Sequence, residues 1–361
     1  MSEEVNDIEL EEEVDDRSES EDGELGISVR YTISSYGADY PVDGLVKRIS
    51  RGDIYVPDFQ RGFVWTAAQA SRFIESLLLG LPVPGIFLFK ELDTSKLVVV
   101  DGQQRLRTLE AFFSGILRGS EFCLRGVSDE FDGVTCKNLS EEDRRRLDDC
   151  IVHATVFQQD DPDDDRSSIY LIFERLNTGG TPLNPQEIRS CVYRGRFNDL
   201  LNELTSDKNW RDIYGKPSHR GKEQELILRF FALLEWGEDY RRPMKGFLND
   251  YMAAKRKPPE EWIEQMRSLF KKTISLASAH LGRSAFRPER ILNAAATDAL
   301  LVGVAFRSAN GSLEQPENLA AAAEKLMRNQ EFRAYITSAT TDIESVSTRL
   351  TLAKEAFGTV R

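Results

Sequence analysis

The chain has 361 residues, of which 40% are apolar, and its formal net charge is −13. The length is enough for two domains of common size, and the apolar content is typical of a globular protein. No apolar run approaches the roughly 18–20 residues of a membrane span, and no apolar segment near the N-terminus suggests export. We therefore expect a cytoplasmic protein with no membrane partner.

The negative charge is concentrated in a terminal tail. Met1–Glu24 contains 13 acidic residues and one basic residue, whereas the rest of the chain contains 47 acidic and 46 basic residues. Residues 1–25 are predicted to form a disordered acidic tail, because they are too polar to build a core. Such a tail can repel nucleic acid, imitate it, or keep the protein soluble, and the last is the commonest case. The nearly neutral remainder argues against strong DNA binding by this chain alone.

Cysteines and histidines give no indication of a metal site. The four cysteines include no Cys-x-x-Cys pair and are expected to be reduced thiols, and the three histidines are far apart in the sequence. His153 lies in the apolar stretch Ile151–Phe157 and is expected to be a strand residue rather than a ligand. The acidic stretch Gln158–Asp165 offers oxygen ligands for Mg²⁺ or Ca²⁺. Its spacing does not match an EF-hand, so a solvated loop is the favoured interpretation.

The first half of the chain alternates between strand-like and helix-like patterns. Strands are predicted at 27–34, 53–56, 85–90, 96–100 and 151–157, with shorter ones at 121–125 and 133–137. Helices are predicted at 41–51, from Thr66 to Gly80, after Gly102, after Ser140, at 167–176 and after Asn184.

The second half has a purely helical pattern. Helices are predicted at 223–235, 243–253, 259–279, 288–306, 316–329 and 342–357, with no clear strand. The sequence therefore predicts an α+β protein, with a mixed α/β domain over residues 26–215 and an all-helical domain over residues 216–361.

The most informative stretch is Leu97–Leu109, LVVVDGQQRLRTL. An apolar strand runs into an Asp-Gly turn, and a helix follows directly. This arrangement points the first backbone N–H groups of the helix at one spot, which favours an anion. Arg105 lies one turn inside the helix, where a half-buried guanidinium can contact phosphate. A second interpretation stands equally: Asp101 and Gln104 have the spacing of a capping box, and a capping Asp101 would leave no room for phosphate.

Three segments in a fixed order resemble one known family. They are Val56–Trp65, which contains VPDFQR and FVW, Asp101–Arg105, which is DGQQR, and Phe173–Leu183, which is FERLNTGGTPL. Together they resemble the N-terminal domain of GmrSD-type restriction systems, which is related to the ParB and sulfiredoxin folds. The resemblance covers about residues 33–204, and it implies a ParB/sulfiredoxin-like fold for the first domain.

The resemblance implies a component of prokaryotic defence against foreign DNA that binds and hydrolyses a nucleoside triphosphate with Mg²⁺. It assigns catalysis to Asp101, Gln104 and Arg105, with Asp101 holding Mg²⁺ or orienting a water. It assigns nucleotide binding to Gln60, Arg61, Gly102, Gln103, Asn177, Gly179 and Gly180. Phosphoryl chemistry needs positioned cations and amides more than a nucleophile, and these residue types provide them.

Two departures from the family bear on function. The family commonly has LTTL after DGQQR, and this chain has LRTL; Arg107 is expected to project away from the buried side. Many relatives also carry a C-terminal nuclease domain with a His-Asn-His metal site, whereas the second half here contains only the isolated His219 and His280. No Walker A motif is present. We therefore expect DNA and a separate nuclease subunit as partners.

Two other functions stay open at this stage. The first is a non-catalytic sensor module that binds DNA or protein. The second is a metal-dependent nuclease built from Asp101 and the acidic loop, which ranks last because no pattern brings these residues together. No sequence pattern selects one base, one DNA modification or one oligomeric state.

Overall fold

The structure is a computed structural model that describes residues 14–15, 32–57, 63–91, 94–161, 167–176, 184–218 and 220–361. Its strands are β1 (Val14–Asp15), β2 (Thr32–Pro41), β3 (Ile54–Tyr55), β4 (Ile86–Lys90), β5 (Leu97–Asp101), β6 (Ile116–Leu117), β7 (Ser120–Glu121), β8 (Ile151–Asp161) and β9 (Leu292–Asn293).

The helices of the first half are α1 (Val42–Ser50), α2 (Ala67–Leu78), α3 (Gln103–Ser114), α4 (Glu141–Asp149) and α5 (Ser167–Leu176). Those that follow are α6 (Pro185–Val192), α7 (Arg196–Leu204), α8 (Lys208–Tyr214), α9 (Lys222–Trp236), α10 (Met244–Ala254), α11 (Glu260–Leu276), α12 (Gly282–Ala285), α13 (Ala294–Ala309), α14 (Asn318–Arg328), α15 (Gln330–Thr337) and α16 (Ile343–Gly358). A 3₁₀ turn (Gly237–Asp239) follows α9, and a π-helical turn (Ala277–Leu281) follows α11.

Residues 29–183 form one compact unit around a five-stranded mixed sheet with the order β2-β8-β4-β5-β3. The β2–β8 and β4–β5 pairs are antiparallel, and the β8–β4 and β5–β3 pairs are parallel. Because β4 and β5 run in opposite directions, the end of β5 lies beside the start of β4. The turn after β5 therefore emerges next to residues that precede β4.

One hydrophobic core joins this sheet to helices α1 to α4. Its fully buried members include Leu45, Ile74, Leu109 and Leu147 from the helices and Leu88, Val99 and Val156 from the strands. The run Leu97–Val100 is buried throughout, as its unbroken apolar pattern predicts. Helix α5 contacts β5 and buries Tyr170 and Phe173. The strand that carries the candidate site is therefore held from both faces.

The second compact unit contains residues 184–361 and the two residues of β1. Its central helix is α13, which is buried on nearly all sides and packs against α9, α11 and α16. Asp298 on α13 is fully buried and pairs with Arg229 on α9 and Arg349 on α16. A buried carboxylate needs such partners, and this pair of contacts links three helices.

The fold class predicted from the sequence is confirmed: a sheet-containing first part is followed by a helical second half. Several predicted elements differ from the structure. The acidic stretch predicted as a loop from Gln158 continues as strand β8 to Asp161, and the half predicted to be helical contains the short strand β9. The helix predicted from residue 288 begins at Ala294, because Asn293 caps it through the Ala296 N–H and Arg290 has a positive φ of 75°. Of the strands predicted at 121–125 and 133–137, the structure has Glu121 at the end of β7 and one bridge between Cys123 and Thr135.

The two compact units divide between Leu183 and Asn184, whereas the composition suggested a boundary at residue 215. The physical reason is packing: helices α6, α7 and α8 contact α9 or α11 of the second unit. Within the predicted disordered tail, β1 pairs in parallel with β9 of the same unit. Among the described helices, none combines the length and apolar character that a membrane crossing requires.

Candidate functional site

The DGQQR segment forms a sharp turn between β5 and α3. Asp101 is the last residue of β5, Gly102 has a φ of 98°, and α3 begins at Gln103. A Cβ on residue 102 would lie 2.4 Å from Cγ2 of Ile86, at the start of β4. Only glycine meets both demands, a left-handed backbone and close contact with the neighbouring strand. The turn therefore brings the N-terminus of α3 against the start of β4.

The N-cap residue of α3 has no side chain that could cap the helix. Gly102 occupies the N-cap position, and Asp101, which stays in the strand, makes no capping hydrogen bond. The capping-box interpretation of Asp101 and Gln104 is therefore wrong. The positive end of a twelve-residue helix dipole is left without a carboxylate at its N-cap, as an anion-binding turn requires.

Arg105 lies at the centre of the turn. Its Nη2 donates to Oδ2 of Asp101 at 2.8 Å and to the carbonyl of Gly85 at 2.9 Å. Its side chain is 15% exposed, in agreement with the prediction of partial burial. No described residue pairs with its buried Nε, and none accepts a hydrogen bond from its Nη1. The guanidinium is anchored on one side and keeps a donor for a further acceptor.

Asp101 keeps one oxygen available. Oδ2 accepts the hydrogen bond from Arg105, Oδ1 accepts none from a described residue, and the side chain is 33% exposed. Within the described part of the chain, no group of three His, Cys, Asp or Glu side chains converges on a metal position. From the described residues, a metal here would take the Asp101 carboxylate, and Mg²⁺ binds through one carboxylate when substrate phosphates and waters complete its shell.

Gln104 contacts the chain segment in front of α2. Its Oε1 accepts hydrogen bonds from the backbone N–H groups of Val64 at 3.0 Å and Trp65 at 3.3 Å. The oxygen of this amide is therefore directed at protein backbone. The catalytic role that the resemblance assigns to Gln104, and the binding role assigned to Gln103 beside it, stay predictions.

Several predicted site residues lie outside the described residues. These are Gln60, Arg61, Asn177, Gly179 and Gly180. The described chain resumes at Phe63 after the first pair, and helix α5 ends at Leu176 just before the other three.

The structure separates Asp101 from the part of the acidic stretch that is described. In the sheet register, Asp101 on β5 lies opposite Phe87 on β4, and Phe87 lies opposite Thr155 on β8. Thr155 is therefore the residue of β8 in register with Asp101. Asp160 lies five residues further along that strand, roughly 16 Å away. Asp160 and Asp101 therefore do not share a metal ion, which removes one basis for the nuclease hypothesis.

Sequence reasoning missed Gly85, which precedes β4, and the contact between His153 on β8 and Asp39 on β2. A Cβ on Gly85 would lie 2.9 Å from the carbonyl oxygen of His153, so this glycine lets the chain approach β8 closely. His153 is a strand residue, as predicted, and its Nδ1 lies 2.6 Å from Oδ1 of Asp39 on β2. Only strand pairing brings Gly85, His153 and Asp39 together, and no local motif announces it.

This geometry defines a class of protein: a mixed α/β domain with an anion-suited turn from strand to helix. Residues 42–194 match the family model of the GmrSD restriction endonuclease N-terminal domain. The matched residues contain the whole DGQQR turn, and the match supports the GmrSD N-terminal domain family.

A relative in Methanocaldococcus jannaschii, itself an uncharacterized protein, is 33% identical over 89 residues. The match covers 18% of this chain and 15% of the relative. The chain thus spans a small part of that protein's length.

Proposed function

We propose that this protein is a nucleotide-binding, NTP-hydrolysing component of a cytoplasmic DNA restriction system of prokaryotic defence. The single observation that supports it most is that α3 begins at a glycine N-cap, without capping by Asp101, directly beside Arg105. Backbone N–H groups, a helix dipole and a guanidinium meet at one turn, and this combination suits a phosphate group. The family's name, which refers to a restriction endonuclease, gives the biological setting.

The residues of the turn have separable roles in this proposal. The first turn of α3 receives the phosphates, and Arg105 donates from Nη1 while Nη2 stays anchored to Gly85. Oδ1 of Asp101 would hold Mg²⁺ or orient the attacking water. Mg²⁺, when bound, neutralises phosphate charge during phosphoryl transfer.

We further propose that DNA and a separate nuclease subunit are the partners. The chain outside the acidic tail is nearly neutral, with 47 acidic and 46 basic residues. Because nucleic-acid affinity depends largely on contacts between cationic side chains and phosphates, this balance favours DNA engagement through a complex.

The test is phosphate release with each of the four ribonucleoside triphosphates, with and without duplex DNA and Mg²⁺. Arg105→Ala removes the anchored guanidinium, and Arg107→Ala, on the same helix, is the matched control. We expect turnover of at least one nucleotide, a loss of about 100-fold in Arg105→Ala and little change in Arg107→Ala. Equal activity in the wild type and in a folded Arg105→Ala variant would contradict the proposal.

A second candidate function is nucleotide or DNA sensing without turnover. The observation that favours it is that the one carboxylate contributed to the site by described residues, that of Asp101, is already engaged by Arg105. Binding of nucleotide that is lost in Arg105→Ala, without phosphate release under any of these conditions, would support the sensor instead.

A further inference from the structure

A short segment next to the DGQQR turn is fixed through its backbone by two side chains. Oε1 of Gln104 accepts from the N–H groups of Val64 and Trp65, at 3.0 and 3.3 Å. Nη2 of Arg118 donates to the carbonyls of Phe63 and Trp65, at 3.0 and 3.2 Å. Both sides of this three-residue stretch are therefore held by hydrogen bonds that do not depend on its own side chains.

Arg118 occupies a backbone position that disfavours it. It lies with Gly119 in the two-residue loop between β6 and β7, and both residues have positive φ values, 51° and 78°. Such a loop favours Asn-Gly, and an arginine at its first position carries a steric cost. Its guanidinium also lies over the ring of Phe63, 5.7 Å from the centroid. A residue that is unfavourable for the turn but makes three contacts to one segment indicates a role outside the turn.

The held segment presents one apolar side chain to solvent. Phe63 and Trp65 pack against the hydrophobic core, and Trp65 meets Phe73 edge to face at 5.7 Å. Val64, between them, is 55% exposed. Since its N–H is bonded to Gln104 in the first turn of α3, Val64 lies beside the turn at which phosphate is proposed to bind.

We propose that Arg118 is a positioning residue of the nucleotide site, and that Val64, held in place by Arg118 and Gln104, forms an apolar wall for the nucleoside. This inference rests on the proposed function for its ligand, while the holding of the segment stands on the contacts alone. A wall of this kind adds affinity for the nucleoside part of the ligand and none for its phosphates.

The first arm of the test needs no nucleotide. Amide hydrogen exchange at Val64 and Trp65 is compared in the wild type, Arg118→Asn, Arg118→Lys and the control Arg107→Asn. Asparagine suits the positive φ better than arginine does, so a residue serving only the turn would leave exchange unchanged or slower. We expect about tenfold faster exchange in Arg118→Asn, partial rescue by lysine and no change in the control. Unchanged exchange in Arg118→Asn would overturn the proposal.

The second arm compares a nucleoside triphosphate with inorganic tripolyphosphate as ligands of the full chain. In Arg118→Asn and Val64→Ser we expect the nucleotide Kd to rise about three- to tenfold while the tripolyphosphate Kd stays the same. An equal effect on both ligands, or on neither, would overturn the proposal that Val64 contacts the nucleoside. Failure of the proposed function gives a different pattern, in which tripolyphosphate does not bind or binds equally well to Arg105→Ala.

Discussion

Three helix starts in this chain share one sequence spacing but not one structure. Thr66 with Gln69 and Asn184 with Glu187 both form complete capping boxes at the starts of α2 and α6. Asp101 and Gln104 have the same spacing, yet Asp101 stays in β5 and pairs with Arg105. The difference is Gly102, which takes the N-cap position with a φ of 98° and displaces the acidic residue by one place. Two of these helix starts are capped by their own side chains, whereas the N-cap residue of the third has no side chain, which favours an outside anion.

The largest effect on stability is expected from Gly102→Ala, which replaces the glycine that distinguishes the start of α3 from those of α2 and α6. Its Cβ would meet Ile86 at 2.4 Å in a left-handed conformation, so we expect the free energy of unfolding to fall by about 2–5 kcal/mol. Gly115→Ala is the matched control, because Gly115 has a φ of 79° at the other end of α3 and open space around it. The control should cost only about 1–2 kcal/mol. Urea unfolding measures both, and equal losses would show that contact with Ile86 is unimportant.

Removing a true cap should lower stability by a moderate amount. Asn184→Ala deletes the side chain that accepts from the Glu187 N–H and donates to the Arg220 carbonyl, so we expect a loss of about 1–2 kcal/mol. Thr66→Ala, at a more exposed capping box, should cost about 1 kcal/mol. Both are measured as changes in the urea midpoint at constant slope. A stable Asn184→Ala protein would mean that the cap of α6 is satisfied in another way.

Asp101→Asn should have the smallest effect on stability. In the absence of Mg²⁺ it should strengthen ligand binding rather than weaken it. Asp101 caps nothing, and its partly exposed pair with Arg105 is worth less than about 1 kcal/mol. Without Mg²⁺, loss of the carboxylate charge should strengthen tripolyphosphate binding about fivefold. Stimulation of binding by Mg²⁺ should disappear. Titration calorimetry with and without EDTA checks both, and weaker Mg²⁺-free binding would contradict the assigned charges.

Much of the site could be predicted from local pattern. The apolar run of β5, the Asp-Gly turn and the helix after it are all encoded within Leu97–Leu109, and the structure has them in that order. Helical spacing predicts Leu106, Leu109, Phe113 and Ile116 as the buried face of α3. Leu106 and Leu109 are buried, but Phe112 is buried in place of Phe113 and Ile116 is exposed. The partial burial of Arg105 also follows from this spacing. What the pattern left undecided was whether Asp101 caps the helix, because a capping box and this turn have the same residue spacing.

The rest depends on contacts between residues that are distant in the sequence. Gly85 enters the site because β4 runs antiparallel to β5, and Arg118 reaches Phe63 because a two-residue hairpin turns back after α3. Periodicity within one segment carries no information about either contact. The start of α13 was predicted too early for a related reason. Pro288 has the pattern of a helix start, but Arg290 takes a positive φ that interrupts the helix, and Asn293 caps the helix that begins at Ala294.

The most direct test of the central claim compares the glycine N-cap of α3 with the side-chain cap of α6. Nucleoside triphosphate or tripolyphosphate is added to the isotope-labelled chain, and the backbone amide signals of Gln103, Gln104 and Arg105 are followed by NMR alongside those of Gln186 and Glu187 on α6. We predict saturable shifts at the first turn of α3 and none at α6, because the N-cap of α3 is a glycine whereas Asn184 caps α6 through its side chain. Unshifted α3 amides at saturating ligand, or equal shifts at both helices, would contradict the assignment of the DGQQR turn as the phosphate site.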